Sequence, residues 1–135
     1  MSSTVIAIDG PAASGKSTAA RNLAARLGIP YINTGSLYRA IAWKAAQKGI
    51  STRDEAALRA MLADTSIRYA TPAAGGNPDI EIDSMFPGQA LRAPEIAQGA
   101  SNVAAIPFVR AFTLQIQRDA ASGSIQVSLY TRKLK

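Results

Sequence analysis

The sequence contains no cysteine and no histidine in its 135 residues. Without cysteine there is no disulfide scaffold, no thiolate zinc cluster and no thiol nucleophile. Without histidine, serine–histidine triads and imidazole metal sites are excluded as well. Aromatic residues are scarce at 6%, with a single tryptophan. The basic residues therefore lack the interleaved rings on which a single-stranded nucleic acid would stack. The opening Met1-Ser2-Ser3-Thr4-Val5-Ile6-Ala7-Ile8-Asp9 has no basic residue ahead of its apolar run and meets Asp9 quickly, so a signal peptide is not expected. No apolar run is long enough to cross a bilayer, and no membrane association is expected.

Hydrophobic residues supply 47% of the chain and charged ones 18%, which suits one folded unit with its own core. The net charge is +6, and its distribution decides its meaning. Residues 1–70 hold nine Lys/Arg against four Asp/Glu, residues 71–131 hold three against five, and Arg132, Lys133 and Lys135 complete the excess. A basic pocket for small phosphates explains a surplus spread over several elements as well as a polynucleotide surface does, and the motifs below favour the pocket. A basic nucleic-acid binder stays open as an alternative, and steep salt dependence would reveal it.

Val5-Ile6-Ala7-Ile8 reads as a strand buried on both faces, followed by a small-residue loop over Gly10–Gly15. Ala19, Ala20, Leu23, Ala24 and Leu27 recur at helical spacing, and Gly28 stops that helix. Ile29-Pro30-Tyr31-Ile32 predicts a second strand, and Ser36 to Gln47 a second helix with Gly49 as its terminator. Thr52 and Glu55 stand at capping-box spacing ahead of a helix carrying Leu58, Met61 and Leu62. Between Ser66 and Leu91 the texture changes. Ile67-Arg68-Tyr69, the alternating Asp79-Ile80-Glu81-Ile82-Asp83 and a short piece near Met85-Phe86 predict an antiparallel hairpin whose acidic row faces solvent. Pro94 and Pro107 open two further helices, with Val109, Phe112, Thr113 and Ile116 on one face of the second. Ser124 to Tyr130 reads as a last strand. The expectation is an α/β fold with a parallel core: residues 1–65 as strand–loop–helix–strand–helix, 66–93 as a small antiparallel insert, and 94–135 as helices and a last core strand, all one structural unit.

Gly10-Pro11-Ala12-Ala13-Ser14-Gly15-Lys16-Ser17 matches the pattern G-x-x-x-x-G-K-[ST]. Glycines at both ends let successive amides turn inward around a phosphate, and the following helix adds its positive dipole end. Lys16 then reaches the outer phosphates, and the Ser17 hydroxyl can ligate a bridging Mg2+. The candidate ATP site is Gly10, Pro11, Ala12, Ala13, Ser14, Gly15, Lys16, Ser17 and Thr18, with Lys16 catalytic and Ser17 the metal ligand. Thr34-Gly35-Ser36-Leu37-Tyr38-Arg39 follows the second strand, where α/β folds place ligands. Thr34 can bond a base or phosphate, and Arg39 presents a planar fork to a phosphate or carboxylate. The blander reading there is a helix N-cap at Thr34 or Ser36 with a solvated arginine one turn on. Ser101 and Arg110 are candidates on the later helices, with ordinary solvated side chains as the alternative, and Arg92 and Arg118 rank below them. Trp43, Phe108 and Phe112 read as core contacts.

Together with Ala100-Ser101-Asn102-Val103-Ala104-Ala105-Ile106-Pro107-Phe108-Val109-Arg110, Ile6-Ala7-Ile8-Asp9-Gly10-Pro11 and Leu91-Arg92-Ala93-Pro94-Glu95-Ile96, these segments resemble the bacterial cytidylate kinases from about Val5 to Arg118. The resemblance implies a nucleoside-monophosphate-kinase fold, with γ-phosphoryl transfer from ATP to CMP or dCMP, Mg2+ and a cytoplasmic monomer. It implies that Thr34, Gly35, Tyr38 and Arg39, with Ser101 and Arg110 at the cytosine and phosphate side, form the CMP site. It implies too that the insert near 66–91 helps enclose the monophosphate. The pattern departs after Gly123. The family's acidic-Gly-Arg-Asp motif and later lid arginines are not matched by Gln126-Val127-Ser128-Leu129-Tyr130-Thr131-Arg132-Lys133. The expectation drawn from that departure is a C-terminally incomplete kinase with impaired turnover. The alternatives are a different small-molecule P-loop kinase and a non-catalytic nucleotide-binding fragment.

Overall fold

A computed structural model describes residues 5–11, 16–27, 31–33, 35–75, 78–121 and 126–132. Three strands, β1 (Val5–Pro11), β2 (Tyr31–Asn33) and β5 (Gln126–Arg132), form one sheet in the order β1-β5-β2. Both outer strands run parallel to β5, with Val5 opposite Gln126 and Tyr31 opposite Val127. Two sequence boundaries move as a result. β5 begins and ends two residues later than its apolar pattern suggests, and its extension to Arg132 gives Gly10 and Pro11 strand partners in Thr131 and Arg132. Gly10 and Pro11 are thus the end of β1 and not the start of the loop. Residues 12–15, Gly28 and Thr34 lie outside the described residues.

Helices α1 (Lys16–Leu27) and α2 (Gly35–Gln47) follow β1 and β2. α2 is buried along Leu37, Ile41 and Ala45, residues four apart and therefore on one face. It closes as its terminator requires. Gly49 takes φ of 68°, its amide reaches the Ala46 carbonyl at 3.2 Å, and the Ile50 amide reaches the Ala45 carbonyl at 2.8 Å. That is a full glycine-dependent C-cap, with Ile50 packing on the core behind it.

α3 (Glu55–Ala63) starts differently from the capping-box expectation. Its N-cap is Asp54, whose carboxylate accepts from the Ala57 amide at 3.1 Å. Thr52 is free for a tertiary bond and accepts from the Asn102 amide group at 2.9 Å. An aspartate three residues before an amide caps as well as threonine does, and the chain uses the residue that leaves Thr52 to the next helix.

β3 (Ile67–Ala70) and β4 (Asp79–Ile82) pair antiparallel, with Ile67 opposite Ile82 and Arg68 opposite Glu81. Ile80 and Ile82 point into the core, while Asp79 is exposed and Glu81 partly covered. A 3-10 turn (Gly88–Arg92) leads to α4 (Pro94–Ala104) and α5 (Pro107–Ala121). The core joins Leu37 and Ile41 to Leu58, the hairpin isoleucines, Leu91, Val103 and Val109, with Trp43, Phe108 and Phe112 packed at its margin. Arg59 also lies over the Phe108 ring, 4.3 Å from its centroid. Among the described residues, no helix is long and apolar enough to cross a membrane.

Candidate functional site

The carboxyl end of β2 and the first turn of α2 open onto a cleft of about 390 Å³. Asn33 builds the near wall. Its side-chain oxygen accepts from the Gly35 amide at 2.9 Å, and its main-chain carbonyl accepts from the Tyr69 hydroxyl at 3.0 Å. The strand end is therefore tied forward to the helix and across to the hairpin. A Cβ at Gly35 would stand 3.1 Å from that Asn33 oxygen, so the turn uses glycine for close approach. Ser36 and Arg39 come from the same helix, and Gln89, Leu91 and Arg92 from the 3-10 turn opposite. Arg21 of α1 and Asp79 at the start of β4 complete the charged lining.

Three guanidinium groups against one carboxylate make this cleft electropositive. Nη1 of Arg39 donates to the Leu91 carbonyl at 3.1 Å. That bond aims the side chain and leaves the rest of its five donors for a ligand. A planar fork held in place suits a phosphate, because both oxygens can be met at once and little rotamer freedom is lost on binding.

The sequence candidates divide. Arg39 lines the cleft and Gly35 sits at its edge in the Asn33 turn. Tyr38 turns away. Its hydroxyl bonds that of Thr113 in α5 at 3.2 Å, and Thr113 donates in turn to the Arg110 carbonyl at 3.0 Å. Ser101 and Arg110 are exposed on α4 and α5 and are not among the cleft-lining residues. Thr18 is exposed on α1. Gly10 and Pro11 end β1, and Lys16 and Ser17 open α1. Ala12, Ala13, Ser14, Gly15 and Thr34 lie outside the described residues.

The sequence candidates do not include Arg21, Asn33, Asp79 or Gln89, and Arg92 ranks low among them. One signal was available for Asn33, a polar residue closing a strand in a parallel sheet. The others reach the cleft only through tertiary packing.

The acidic row of the hairpin is not uniformly solvated. Asp83 has left the strand at φ of 48°, and its carboxylate meets the Lys44 ammonium at 2.5 Å and the Ser66 amide at 3.0 Å. Those two donors hold its carboxyl below the ordinary carboxylate range, the Lys44 hydrogen bond counting most. Glu81 pairs with Arg68 at 2.7 Å and keeps that guanidinium charged beyond its usual limit.

The sequence pattern G-x-x-x-x-G-K-[ST] between β1 and α1, in a mixed α/β chain with an arginine-lined cleft at the end of β2, has the features of the P-loop class. The family model for cytidylate kinase matches residues 6–128, and the chain belongs to that family. It is 43% identical over 118 residues to a cytidylate kinase of Pelotomaculum thermopropionicum, covering 87% of this chain and 52% of that one. To a cytidylate kinase of Paramagnetospirillum magneticum it is 45% identical over 120 residues, covering 89% of this chain and 49% of that one. A bifunctional pantoate ligase/cytidylate kinase of Synechococcus sp. (strain RCC307) is 39% identical over 114 residues, 84% of this chain and 22% of that protein. The chain spans about half the length of the cytidylate kinases it matches.

Proposed function

We propose that this chain carries the nucleotide-handling core of an enzyme that moves the γ-phosphoryl group of ATP to the 5′-phosphate of CMP or dCMP. A phosphate oxygen of the acceptor attacks the γ-phosphorus, the bond to the β,γ-bridging oxygen breaks, and ADP leaves beside CDP or dCDP. The observation that carries this reading is the Arg21–Arg39–Arg92 cleft at the end of β2, in a chain matched over residues 6–128 by the family. Phosphoryl transfer is catalysed chiefly by positioning and by cations arrayed on the migrating group. Arg39 grips the monophosphate with Gly35 at the cleft edge, and Thr34, Tyr38, Ser101 and Arg110 are acceptor-side residues on the family resemblance, the last three outside the cleft lining.

On the donor side, Gly10 to Thr18 cradle ATP and Lys16 meets its outer phosphates. Ser17 offers a hard oxygen donor in the first turn of α1, the kind of ligand Mg2+ takes, and the ion would neutralise charge on the ATP phosphates. Parallel pairing of β1 and β2 with β5 supports a nucleoside-monophosphate-kinase core within 1–65 and 94–135, with 66–93 as the acceptor-side insert. The partners in this reading are soluble nucleotides handled by a cytoplasmic monomer, without nucleic acid or membrane.

Calorimetry with CMP, UMP, AMP and GMP, followed by a coupled ADP-release assay with Mg2+ and ATP, tests it. The expected result is preference for CMP and loss of ATP affinity in Lys16→Ala with CMP affinity retained. A chain that binds neither ATP nor CMP refutes the proposal, and binding without ADP release reduces it to a nucleotide-binding module.

A further inference from the structure

Helix α2 holds the segment between β4 and α4 at two points. Near its start, Arg39 donates to the Leu91 carbonyl at 3.1 Å. Further along the same helix, Lys44 donates to Asp83 at 2.5 Å. Residues 84–90 span the gap between these anchors, and Met85 and Phe86 within it are exposed.

The Lys44–Asp83 anchor is built and not incidental. The Lys44 side chain is 11% exposed against 45% for Asp83, so the ammonium is the desolvated partner and Asp83 is brought to it. Asp83 and Ser84 both adopt positive φ, 48° and 69°, which non-glycine residues enter only at a cost. The Ile82 amide reaches the Met85 carbonyl at 2.7 Å and the Met85 amide the Ile82 carbonyl at 2.9 Å. This closes a two-residue turn with φ > 0 at both central positions, where Asn-Gly would be the relaxed choice. The Asp83 main-chain amide also donates to the Ser66 carbonyl at 2.8 Å, while the Ser66 amide donates to the Asp83 carboxylate at 3.0 Å. One strained residue thus clasps both the start of β3 and the middle of α2. At the opposite end of β4, Asp79 stands in the cleft with Arg39.

Resting on the reading of the cleft as the monophosphate site, we propose that Lys44 and Asp83 form a positioning strut. It fixes β4 and the 3-10 turn on α2 so that Asp79, Gln89 and Arg92 face Arg39 at the spacing a nucleoside monophosphate needs. Neither strut residue touches the ligand. Lys48, the other cation acting on Asp83, lies beyond the last turn of the same helix and reinforces the pair. Loss of the strut leaves Arg39 on its helix but lets the facing wall drift, and small misplacements of binding groups are costly.

The test is calorimetry on the full chain with CMP and, separately, ATP, comparing Asp83→Asn, Lys44→Met, the double variant and Lys44→Arg. Expected is about a tenfold loss of CMP affinity in each of the first two, no further loss in the double variant, and recovery in Lys44→Arg, with ATP affinity unchanged throughout. Hydrogen exchange at the amides of Ile80 and Ile82 should rise in the same variants that lose affinity. Unchanged CMP affinity in both single variants overturns the strut and leaves the functional reading standing. Parallel loss of CMP and ATP affinity also overturns it, because that is general destabilisation. A parent chain that binds no CMP overturns the functional reading and the strut with it.

Discussion

Gly99 in α4 packs against Ala42 of α2, and replacing it by alanine turns that closeness into a measurable energy. A Cβ built at Gly99 falls 3.0 Å from the Ala42 Cβ and 3.2 Å from the Thr52 Cγ2. Carbon atoms rest at about 3.5–4.0 Å, so α2 and α4 would have to separate by roughly half an ångström or more. The Ala42 Cβ is fixed to its backbone and cannot swing aside. In an unconstrained helix the same substitution gains about 0.8–1.0 kcal/mol. Overpacking a well-filled contact costs about 1–3 kcal/mol. The sum is a net loss of about 1 kcal/mol, with the sign opposite to ordinary helix propensity. The Asn102–Thr52 bond at 2.9 Å lies one turn on and would stretch with the same displacement. Urea or thermal unfolding reads this as a fall of about 4 °C in Tm. Ser101→Ala, an exposed neighbour on the same helix, serves as control and should be neutral or slightly stabilising. A Gly99→Ala chain that melts higher than the parent would refute the close crossing.

Ser84→Gly relieves the positive φ of 69° and should stabilise the chain by about 0.5–1 kcal/mol, checked by the same melts. Asp54→Ala removes the α3 cap and should cost about 1 kcal/mol, whereas Glu55→Ala should cost no more than a few tenths; equal losses would restore the capping box. Because Asp83 is favoured as a carboxylate in the folded chain, its stabilising effect is complete above its ordinary carboxylate range. It is lost as pH falls through the lowered folded value. The stability gap between the parent and Asp83→Asn should therefore be flat near neutrality and close in acid, as followed by urea midpoints against pH. A gap that persists unchanged at the acid end would show that the carboxylate's charge is irrelevant.

Where local physics alone sets the outcome, the chain was readable. Leu37, Ile41 and Ala45 announce their helix by spacing, Gly49 its end, and Ile80 and Ile82 the buried face of a strand. Misreadings arose where a residue had a competing long-range use. The spacing of Thr52 to Glu55 predicts a cap, but Asn102, fifty positions later, takes the Thr52 hydroxyl. Asp83 continued the alternation of Asp79 and Glu81, yet a turn without glycine redirects it to Lys44. Asp-Ser is a weak turn signal, so the tight turn went unseen. Arg39 is a candidate in the sequence because it follows a strand end closely, with a solvated arginine as the blander reading. Arg21 and Arg92 meet it only after α1, α2 and the 3-10 turn have packed, and no spacing in the sequence encodes that meeting.

The order β1-β5-β2 has a bearing on how the chain assembles. β1 and β2 come early in the chain, yet their backbone partners in this sheet are residues 126–132, 121 positions on from Val5 and 96 on from Tyr31. Among the described strands, β5 is the sheet partner of both β1 and β2. The helical and hairpin layer can condense first from nearer neighbours, while the sheet waits on the most distant strand pairing among the described residues. β1 is therefore locked in place only when a segment far along the chain arrives, and anything that binds the finished sheet but not the open chain would hold that register.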